Sequence, residues 1–318
     1  MSSKYSTPKR HHYLPQFYLE RFTKDGSLWV YDRERKEYRS QTPINTAVIT
    51  HYYKFIEENG TPNVGLEAML AEVEGETKNL IAKLEQLFPL TNPEQCTFAL
   101  FVALLRDRVP HFEKEVAEIF DVTYKEITRD GFSTEEKTRE VIAAIEKETG
   151  EPFDVDPELL MEVAKNGNYT VEIERIHSLA IMFPLAYKLA EVILYMDWSF
   201  LFAPPSASFI TTDKPFTIVS PVIKNSLEYG FHLGGGIDIP GTQKYIPLSQ
   251  KLCLCIQDRG TRREWRILTD YDVRAINFFL AKTSEKLLIS ADENLLRSVV
   301  TDARINAKHR HKPTSKRK

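Results

Sequence analysis

The hydrophobic period of the chain changes near residue 198, and this change restricts the possible folds more than any other feature. From Leu66 to about residue 196, apolar side chains recur every three or four positions, as they do on one face of an α-helix. After Trp198 they alternate, as they do in strands that bury one face. Helices and strands segregated in this way predict an α+β fold rather than an alternating α/β fold.

A short helix with Pro15 in its first turn is predicted within residues 11–22, and six more helices are predicted between Leu66 and residue 198. The first of these six carries one apolar stripe along a single face, formed by Leu66, Leu70, Val73, Thr77, Leu80, Leu84 and Leu87. The second is predicted to begin with Asn92 as its N-cap, and its sequence CTFALFVALL is apolar on nearly all sides, which indicates burial. The others are predicted at residues 111–129, 134–149 with a Ser133–Glu136 capping box, 156–167 and about 171–196.

Strands are predicted at both ends of the chain. The late candidates are WSFLFAP, SFITTD, FTIVSP, KYIPLS, LCLCIQ and EWRILT. Near the start, SLWVYDR and EYRSQTP are predicted to form a hairpin. Because an isolated hairpin is marginally stable in water, we expect it to pack on or join the sheet of residues 198–268. Two helices are predicted last, one from Asp270 or Asp272 through LLI at 287–289 and one from Asp292 to Asn306.

These elements predict a mixed or antiparallel sheet of the C-terminal half that N-terminal strands join, with an inserted helical bundle. The 318 residues suffice for one large or two modest domains. The predicted regions are an N-terminal segment at 1–60 that packs on the sheet, a helical bundle at 61–197, a β-rich region with terminal helices at 198–306 and a disordered basic tail at 307–318.

Composition narrows the setting of the protein. Three cysteines are too few for a disulfide framework, and Cys253 and Cys255 are expected to be buried apolar residues, with a metal pair as the alternative. No secretory signal and no apolar run of about 18–20 residues is apparent, so a cytoplasmic protein without a membrane span is expected. The basic tail fits either a solvated chain end or a loose electrostatic contact with nucleic acid.

The stretch HHYLPQFYLERF, residues 11–22, contains the first candidate site residues. Adjacent side chains diverge in a helix or a strand, so at most one of His11 and His12 can easily serve a given site. A neutral imidazole can bind a metal or act as a general base near neutral pH. Alternatively, His12 is a buried, hydrogen-bonded residue that fixes the start of the chain. Gln16 and Tyr18 add polar groups that need partners if they are buried.

Glu67 and Glu74 lie seven residues apart in the first long helix, on the same side and about 10 Å apart along its axis. That spacing is long for a shared metal unless a third group bridges the carboxylates. Two interpretations are therefore open: the pair lines a site beside the buried face, or both carboxylates are solvated.

Two further segments suggest chemistry on phosphate. Arg106, Asp107 and His111 have an Arg-x4-His spacing that resembles the motif of the helical ribonucleases called higher-eukaryote-and-prokaryote nucleotide-binding domains, although Pro110 disturbs the local geometry. In those enzymes the arginine stabilises developing charge and the histidine moves a proton. Asp213, in SFITTDKPF, ends an apolar strand before a turn, where an aspartate is either a functional carboxylate or a turn residue.

Taken in order, HHYLPQFYLERF, LWVYDR, LEAMLAEVEGE, FITTDKPF, YIPLS and INFFLAKTSEKLLIS resemble the bacterial domain-of-unknown-function family four-two-three-eight. The resemblance covers about residues 11–300 and implies a bacterial or phage-associated intracellular protein without an established reaction. The positions that match its motifs are His11, His12, Pro15, Gln16, Tyr18, Glu67, Glu74, Arg106, Asp213, Pro215 and Asn277. Similar chains tend to have Thr-Pro where this chain has Asp107-Arg108.

The leading hypothesis is a phosphodiesterase, an RNA or DNA nuclease in a defence or toxin role. His12 would transfer a proton or bind a metal, Arg106 would clamp the phosphate and Asp213 would supply a carboxylate. The predicted substrate contacts are His11, Gln16, Tyr18 and Asn277. A divalent metal cofactor and the oligomeric state are left open, and nucleic acid is the expected partner. The alternative is a non-catalytic module that binds a small molecule or a protein. The enzyme hypothesis requires His12 and Asp213 to share one cavity.

Overall fold

The computed structural model of the protein describes residues 10–53, 65–225, 228–233 and 236–305. Within these ranges the chain forms nine α-helices and twelve strands in three mostly antiparallel sheets, which confirms the predicted α+β class. The basic tail predicted at 307–318 and Asn306, the predicted end of the last helix, lie outside the described residues.

The helices agree closely with the hydrophobic period. They are α1 (Gln16–Glu20), α2 (Gly65–Glu85), α3 (Asn92–Asp107), α4 (Pro110–Gly131), α5 (Glu135–Thr149), α6 (Pro157–Asn166), α7 (Arg175–Leu194), α8 (Asp270–Thr283) and α9 (Glu293–Asp302). The predicted apolar stripe is buried along most of α2, but Leu87 lies beyond its end, is exposed and adopts a positive φ of 64°.

The twelve strands form sheets of two, six and four strands. The strands are β1 (Arg10–His12), β2 (Leu28–Asp32), β3 (Glu37–Gln41), β4 (Val48–Thr50), β5 (Met196–Phe202), β6 (Thr211–Thr212), β7 (Thr217–Asn225), β8 (Glu228–Leu233), β9 (Gln243–Pro247), β10 (Leu252–Arg259), β11 (Arg263–Ile267) and β12 (Leu287–Ser290). Their orders are β1-β4, β11-β5-β10-β9-β7-β8 and β3-β2-β12-β6. Only the β11-β5 pairing is parallel among these described pairs.

The N-terminal hairpin pairs with strands of the C-terminal half, as predicted. Together they form the four-stranded sheet, which is separate from the six-stranded sheet. β2 and β3 pair antiparallel, and β2 then pairs with β12, whose other neighbour is β6. The described strands of the six-stranded sheet all come from residues 196–267, and no described N-terminal strand joins it.

The prediction that residues 287–289 continue the penultimate helix is wrong. Helix α8 ends at Thr283, and Leu287–Ser290 form β12, a fully buried strand between β2 and β6. A short apolar run reads equally well as buried helix or buried strand, and here pairing on both edges decides for the strand.

Two predicted N-caps lie one residue away from the observed caps. Thr91, rather than Asn92, caps α3 and forms a capping box with Glu94. Thr134, rather than Ser133, caps α5 by accepting the N–H of Lys137. In both places a threonine hydroxyl stands three residues before the N–H group that needs an acceptor, and this spacing determines the cap.

The chain divides into two compact units, which we describe separately. One contains the residues up to Val109 and from Met182 onward, and the other is Pro110–Ile181. The helical region predicted as one bundle, 61–197, is therefore divided between them, because α2 and α3 belong to the first unit.

The core of the first unit lies between the two larger sheets and the last two helices. It includes Tyr31 of β2, Leu288 of β12, Leu280 of α8 and Leu296 of α9. Cys253 and Cys255 belong to the same cluster. Burial raises the pKa of the Cys255 thiol to about 12, so it behaves as a small apolar residue.

Among the helices that the structure describes, α7 alone is long and apolar enough to cross a membrane by length and composition. It contains Pro184. One such helix is weak evidence for a membrane span, because core helices of other proteins meet the same criterion.

Candidate functional site

A polar pocket of about 180 Å³ lies where β1, α2 and the end of α3 meet. The described residues that line it are Arg10, His11, His12, Tyr53, Glu67, Leu70, Ala71, Glu74 and Arg108. We call this set the N-terminal pocket. Four of its members, His11, His12, Glu67 and Glu74, are candidates from the opening motif and from the first long helix.

The local sequence explains why these side chains converge. β1 pairs antiparallel with β4, so His11 lies opposite Ile49 and His12 opposite Val48. Successive strand residues point to opposite faces, yet both His11 and His12 line the pocket. On α2, the lining residues Glu67, Leu70, Ala71 and Glu74 follow the spacing i, i+3, i+4 and i+7, so they share one face of the helix.

His11 is a buried positioning residue. Its Nδ1 accepts the backbone N–H of Tyr53 at 2.7 Å, so the ring proton lies on Nε2. From Nε2 it donates to Oε1 of Glu67 at 2.9 Å. The His11 ring also stacks on the Tyr53 ring, with 5.6 Å between centroids. These contacts connect β1, the segment after β4 and α2.

Arg108, the C-cap residue of α3, is buried and forms the other connection across the pocket. Its Nη1 contacts Oε1 of Glu74 at 2.5 Å, its Nη2 donates to the carbonyl of His12 at 2.8 Å, and its Nε donates to the hydroxyl of Tyr53 at 3.2 Å. A buried guanidinium requires such partners because an unpaired charge in the interior is costly.

His12 differs from its neighbours because one of its nitrogens has no partner. Its imidazole bonds to the backbone carbonyls of Pro43 and Ile44. Within the described residues Nε2 is buried and has no hydrogen-bond partner, so the nitrogen that donates to the carbonyls is Nδ1. Nε2 therefore keeps an unpartnered lone pair, and His12 is one of the residues that line the pocket.

The surroundings of His12 favour its neutral form. Burial lowers the pKa of His12 below its ordinary value, and the positive charges of Arg108 and Arg10 lower it further. The hydrogen bonds to Ile44 and Pro43 act in the opposite direction without reversing the shift. A neutral imidazole with one nitrogen held by backbone carbonyls and the other unpartnered is the arrangement of a general base.

Glu67 and Glu74 line the pocket with about a quarter of each side chain exposed. They are therefore neither fully solvated nor fully buried, and each has a specific partner, His11 and Arg108. No group of three His, Cys, Asp or Glu side chains that could hold a metal ion occurs among the described residues.

Neither Arg106 nor His111 of the Arg-x4-His motif is among the residues that line this pocket. Arg106 contacts the carboxylate of Asp107, the next residue in the chain, and neither lines the pocket. In α4, His111 contacts Glu115 one turn later at 3.0 Å. Arg106 and His111 belong to the first and second compact units, respectively.

Asp213 does not line the N-terminal pocket, so the structure does not bring it into the cavity that contains His12. Its carboxylate is buried and accepts the backbone N–H groups of Glu285 at 3.1 Å and Lys286 at 2.7 Å. Both oxygens are therefore used to hold the turn that precedes β12. We assign Asp213 a structural role, the turn interpretation of its sequence position.

The predicted substrate contacts other than His11 make hydrogen bonds within the fold. Gln16 is exposed and donates to Glu20 one turn later. The buried Tyr18 hydroxyl contacts Oγ1 of Thr211 and donates to the carbonyl of Pro247. The Asn277 side chain accepts the N–H of Ile210 and donates to the carbonyl of Ser208, so it connects α8 to the segment before β6.

Sequence reasoning missed Arg10, Tyr53 and Arg108 as pocket residues. A signal for Arg108 was present, because it follows the buried Leu104 by one helical turn and therefore continues the buried face of α3. The segment AVITHYYKF, which contains Tyr53, fits an extended stretch and a short helix equally well, so its pattern does not indicate where the Tyr53 side chain points. No sequence signal distinguishes Arg10 from other arginines near a chain end.

Comparison with known proteins gives one match. A family model described as a protein of unknown function, DUF4238, matches residues 10–294 and therefore includes every described residue of the pocket. No curated protein and no solved structure matches the chain.

Proposed function

Because this chain belongs to the DUF4238 family of proteins of unknown function over most of its length, we propose a function from the pocket itself: that the protein is a phosphodiesterase acting on nucleic acid. Arg106 and Asp213 do not line this pocket, so the predicted three-residue site is not retained and neither residue has a role in this proposal. The observation that carries the proposal is the buried, unpartnered Nε2 of His12, a residue that lines the pocket together with two arginines. The three cysteines of the protein are free, which agrees with a protein that acts in a reducing cytoplasm.

In this proposal His12 is the general base. Its Nε2 accepts the proton of the attacking oxygen, either a water molecule or, in RNA, the ribose 2′-hydroxyl, while that oxygen bonds to phosphorus. The bond from phosphorus to the leaving oxygen breaks, and this oxygen takes its proton from solvent. The lowered pKa keeps His12 unprotonated, and therefore competent, at neutral pH.

The charges around His12 are suitable for an anionic centre. Arg10 and Arg108 are near enough to His12 for their charges to lower its pKa, so they also act on a phosphate held beside Nε2. Glu74 and Glu67 line the same pocket and would repel an anion that approached them. The expected substrate position is therefore the mouth of the pocket, where Arg10 is exposed.

A second candidate is a non-catalytic site for a small zwitterion. It is favoured by the balance of two arginines and two glutamates in a cavity of about 180 Å³. Such a ligand would place an ammonium group near Glu67 and an anionic group near Arg10. In thermal unfolding, small zwitterions would then raise the Tm of the wild type and not that of Glu67→Gln.

The test uses RNA and single-stranded DNA of the same mixed sequence, each with a chelator and each with Mg²⁺ or Mn²⁺. We expect cleavage by the wild type and a loss of about 100-fold or more in His12→Asn. Asparagine preserves an N–H donor near the position of Nδ1 and removes Nε2, so the contact with Pro43 and Ile44 is retained while the base is lost.

His177→Asn is the matched control, because His177 is exposed on α7 and does not line the pocket. It should cleave as the wild type does. Cleavage of neither nucleic acid under any of these conditions would overturn the proposal. Equal rates for His12→Asn and the wild type would show that His12 is not the base.

The pH profile gives an independent prediction. Because the pKa of His12 lies below its ordinary value of 6.5, the acid limb of kcat/KM should have its midpoint below pH 6.5. Protonation of the base causes the fall, so any residual activity of His12→Asn should lack this limb. A limb centred well above pH 6.5 would assign the titration to another group.

A further inference from the structure

The six-stranded sheet ends in β11, whose outer edge has no neighbouring strand among the described residues. β11 reads Arg-Glu-Trp-Arg-Ile and pairs parallel with β5, with Arg263 beside Trp198 and Ile267 beside Phe202. An open edge is a template for pairing with another strand.

The hydrogen bonds of β11 identify the backbone groups that point outward. The N–H of Trp198 donates to the carbonyl of Arg262, and the N–H of Leu268 donates to the carbonyl of Phe202. Backbone direction alternates along a strand, so Arg262, Glu264, Arg266 and Leu268 face β5. The N–H and C=O groups of Arg263, Trp265 and Ile267 therefore face away from the sheet.

We propose that two copies of this chain form a symmetric dimer by antiparallel pairing of their β11 strands about Trp265. A two-fold axis at Trp265 places each Trp265 opposite its counterpart, and Arg263 of one copy opposite Ile267 of the other. All the outward backbone groups then pair, and the two six-stranded sheets become continuous.

This register makes the charges of the strand complementary. Glu264 of one copy lies directly opposite Arg266 of the other, and both side chains are on the same face of the joined sheet. Symmetry repeats the pair, so two cross-strand ion pairs form. Arg266 makes no ion pair within the described part of the chain and is exposed, so it is available for this contact.

The apolar surface near β11 agrees with this arrangement. Among the described residues the three most exposed large hydrophobic side chains are Ile267 at 85%, Tyr271 at 79% and Tyr195 at 69%. Ile267 and Tyr271 lie at one end of β11, and Tyr195 lies just before the β5 residues beside its other end. In the antiparallel dimer, Ile267 and Tyr271 of one copy are therefore directed toward Tyr195 of the other copy.

The decisive experiment exchanges the two charges. Mass measured by size-exclusion chromatography with light scattering should be about twice 36.7 kDa for the wild type. Glu264→Arg and Arg266→Glu each place like charges opposite one another twice, so each should weaken dimerisation by about tenfold or more. The double variant E264R/R266E restores opposite charges and should restore the dimer.

The double variant also separates association from folding. Glu264 accepts the hydroxyl of Ser199 within its own chain at 2.8 Å, so Glu264→Arg alone loses this contact as well. Adding Arg266→Glu does not rebuild the contact between residue 264 and Ser199. Recovery of the dimer in the double variant must therefore come from the restored cross-strand charge pairs. The swap E135R/R139E, at an exposed ion pair of α5, is the control and should leave the mass unchanged.

A wild type that is monomeric at high micromolar concentration would overturn the proposal. It would equally be overturned by a dimer whose mass neither single variant changes, because that dimer would use another surface. This proposal does not depend on the nuclease proposal, since β11 contributes no residue to the N-terminal pocket.

Discussion

At the scale of single residues, Asp213 and His12 are titratable groups that the fold treats in different ways. Both carboxylate oxygens of Asp213 are occupied by backbone N–H groups of the turn before β12. His12 is held through one ring nitrogen and has no partner for the other within the described residues. An occupied group stabilises the fold, whereas an unpartnered one is available to a ligand.

Asp213 should make stability depend on pH. Burial raises its pKa from 3.8 to about 6, although the N–H groups of Lys286, Leu287 and Glu285 oppose the shift. The folded chain therefore holds this proton more tightly than the unfolded chain. Its contribution to the free energy of unfolding is fully present below about pH 4 and is lost as the pH rises through about 6.

Urea denaturation between pH 4 and pH 7 measures this effect. The difference between the wild type and Asp213→Asn should fall by up to about 3 kcal/mol over that range. The exposed Asp154→Asn should show the same pH dependence as the wild type. An unchanged slope in Asp213→Asn would contradict the raised pKa.

At the scale of elements, the N-terminal pocket depends on two connections to α2. The Glu67–His11 hydrogen bond connects this helix to β1, and the Glu74–Arg108 ion pair connects it to the end of α3. Seven residues separate the two glutamates, so a single helix face carries both. The positions of both carboxylates in the pocket therefore depend on how tightly this face of α2 packs.

Glu74→Ala should destabilise the protein by about 2–4 kcal/mol, because it leaves the charge of the buried Arg108 without its carboxylate. Alanine favours a helix, so α2 itself should not be weakened. Glu72→Ala, at an exposed position of the same helix, is the control and should change the free energy of unfolding by less than about 0.5 kcal/mol. Equal effects of the two substitutions in urea would mean that the ion pair contributes little.

At the scale of the whole molecule, side chains from the start of the chain hold its late strands together. The Tyr18 hydroxyl contacts Oγ1 of Thr211 at 2.6 Å and the carbonyl of Pro247 at 2.8 Å. These contacts connect α1 with β6 and with β9, which belong to different sheets. They are formed across most of the chain length.

Tyr18→Phe should cost about 1–3 kcal/mol of stability, because the buried carbonyl of Pro247 loses its donor and the buried hydroxyl of Thr211 loses its partner. Thermal or urea unfolding followed by circular dichroism measures the loss. Tyr187→Phe removes an exposed hydroxyl from α7 and serves as the control, with no expected change. A Tyr18→Phe protein as stable as the wild type would indicate that this connection between sheets is dispensable.

The sequence by itself determined the α+β class, most of the helices and the pairing of β2 with β3, because these follow from local periodicity and turn chemistry. It also identified His11, His12, Glu67 and Glu74, although not their roles. Only the tertiary structure decided that residues 287–290 form a strand, that Arg108 rather than Arg106 lines the pocket, and that Asp213 does not. Those outcomes depend on contacts between residues far apart in the chain, and a local pattern contains no information about such contacts.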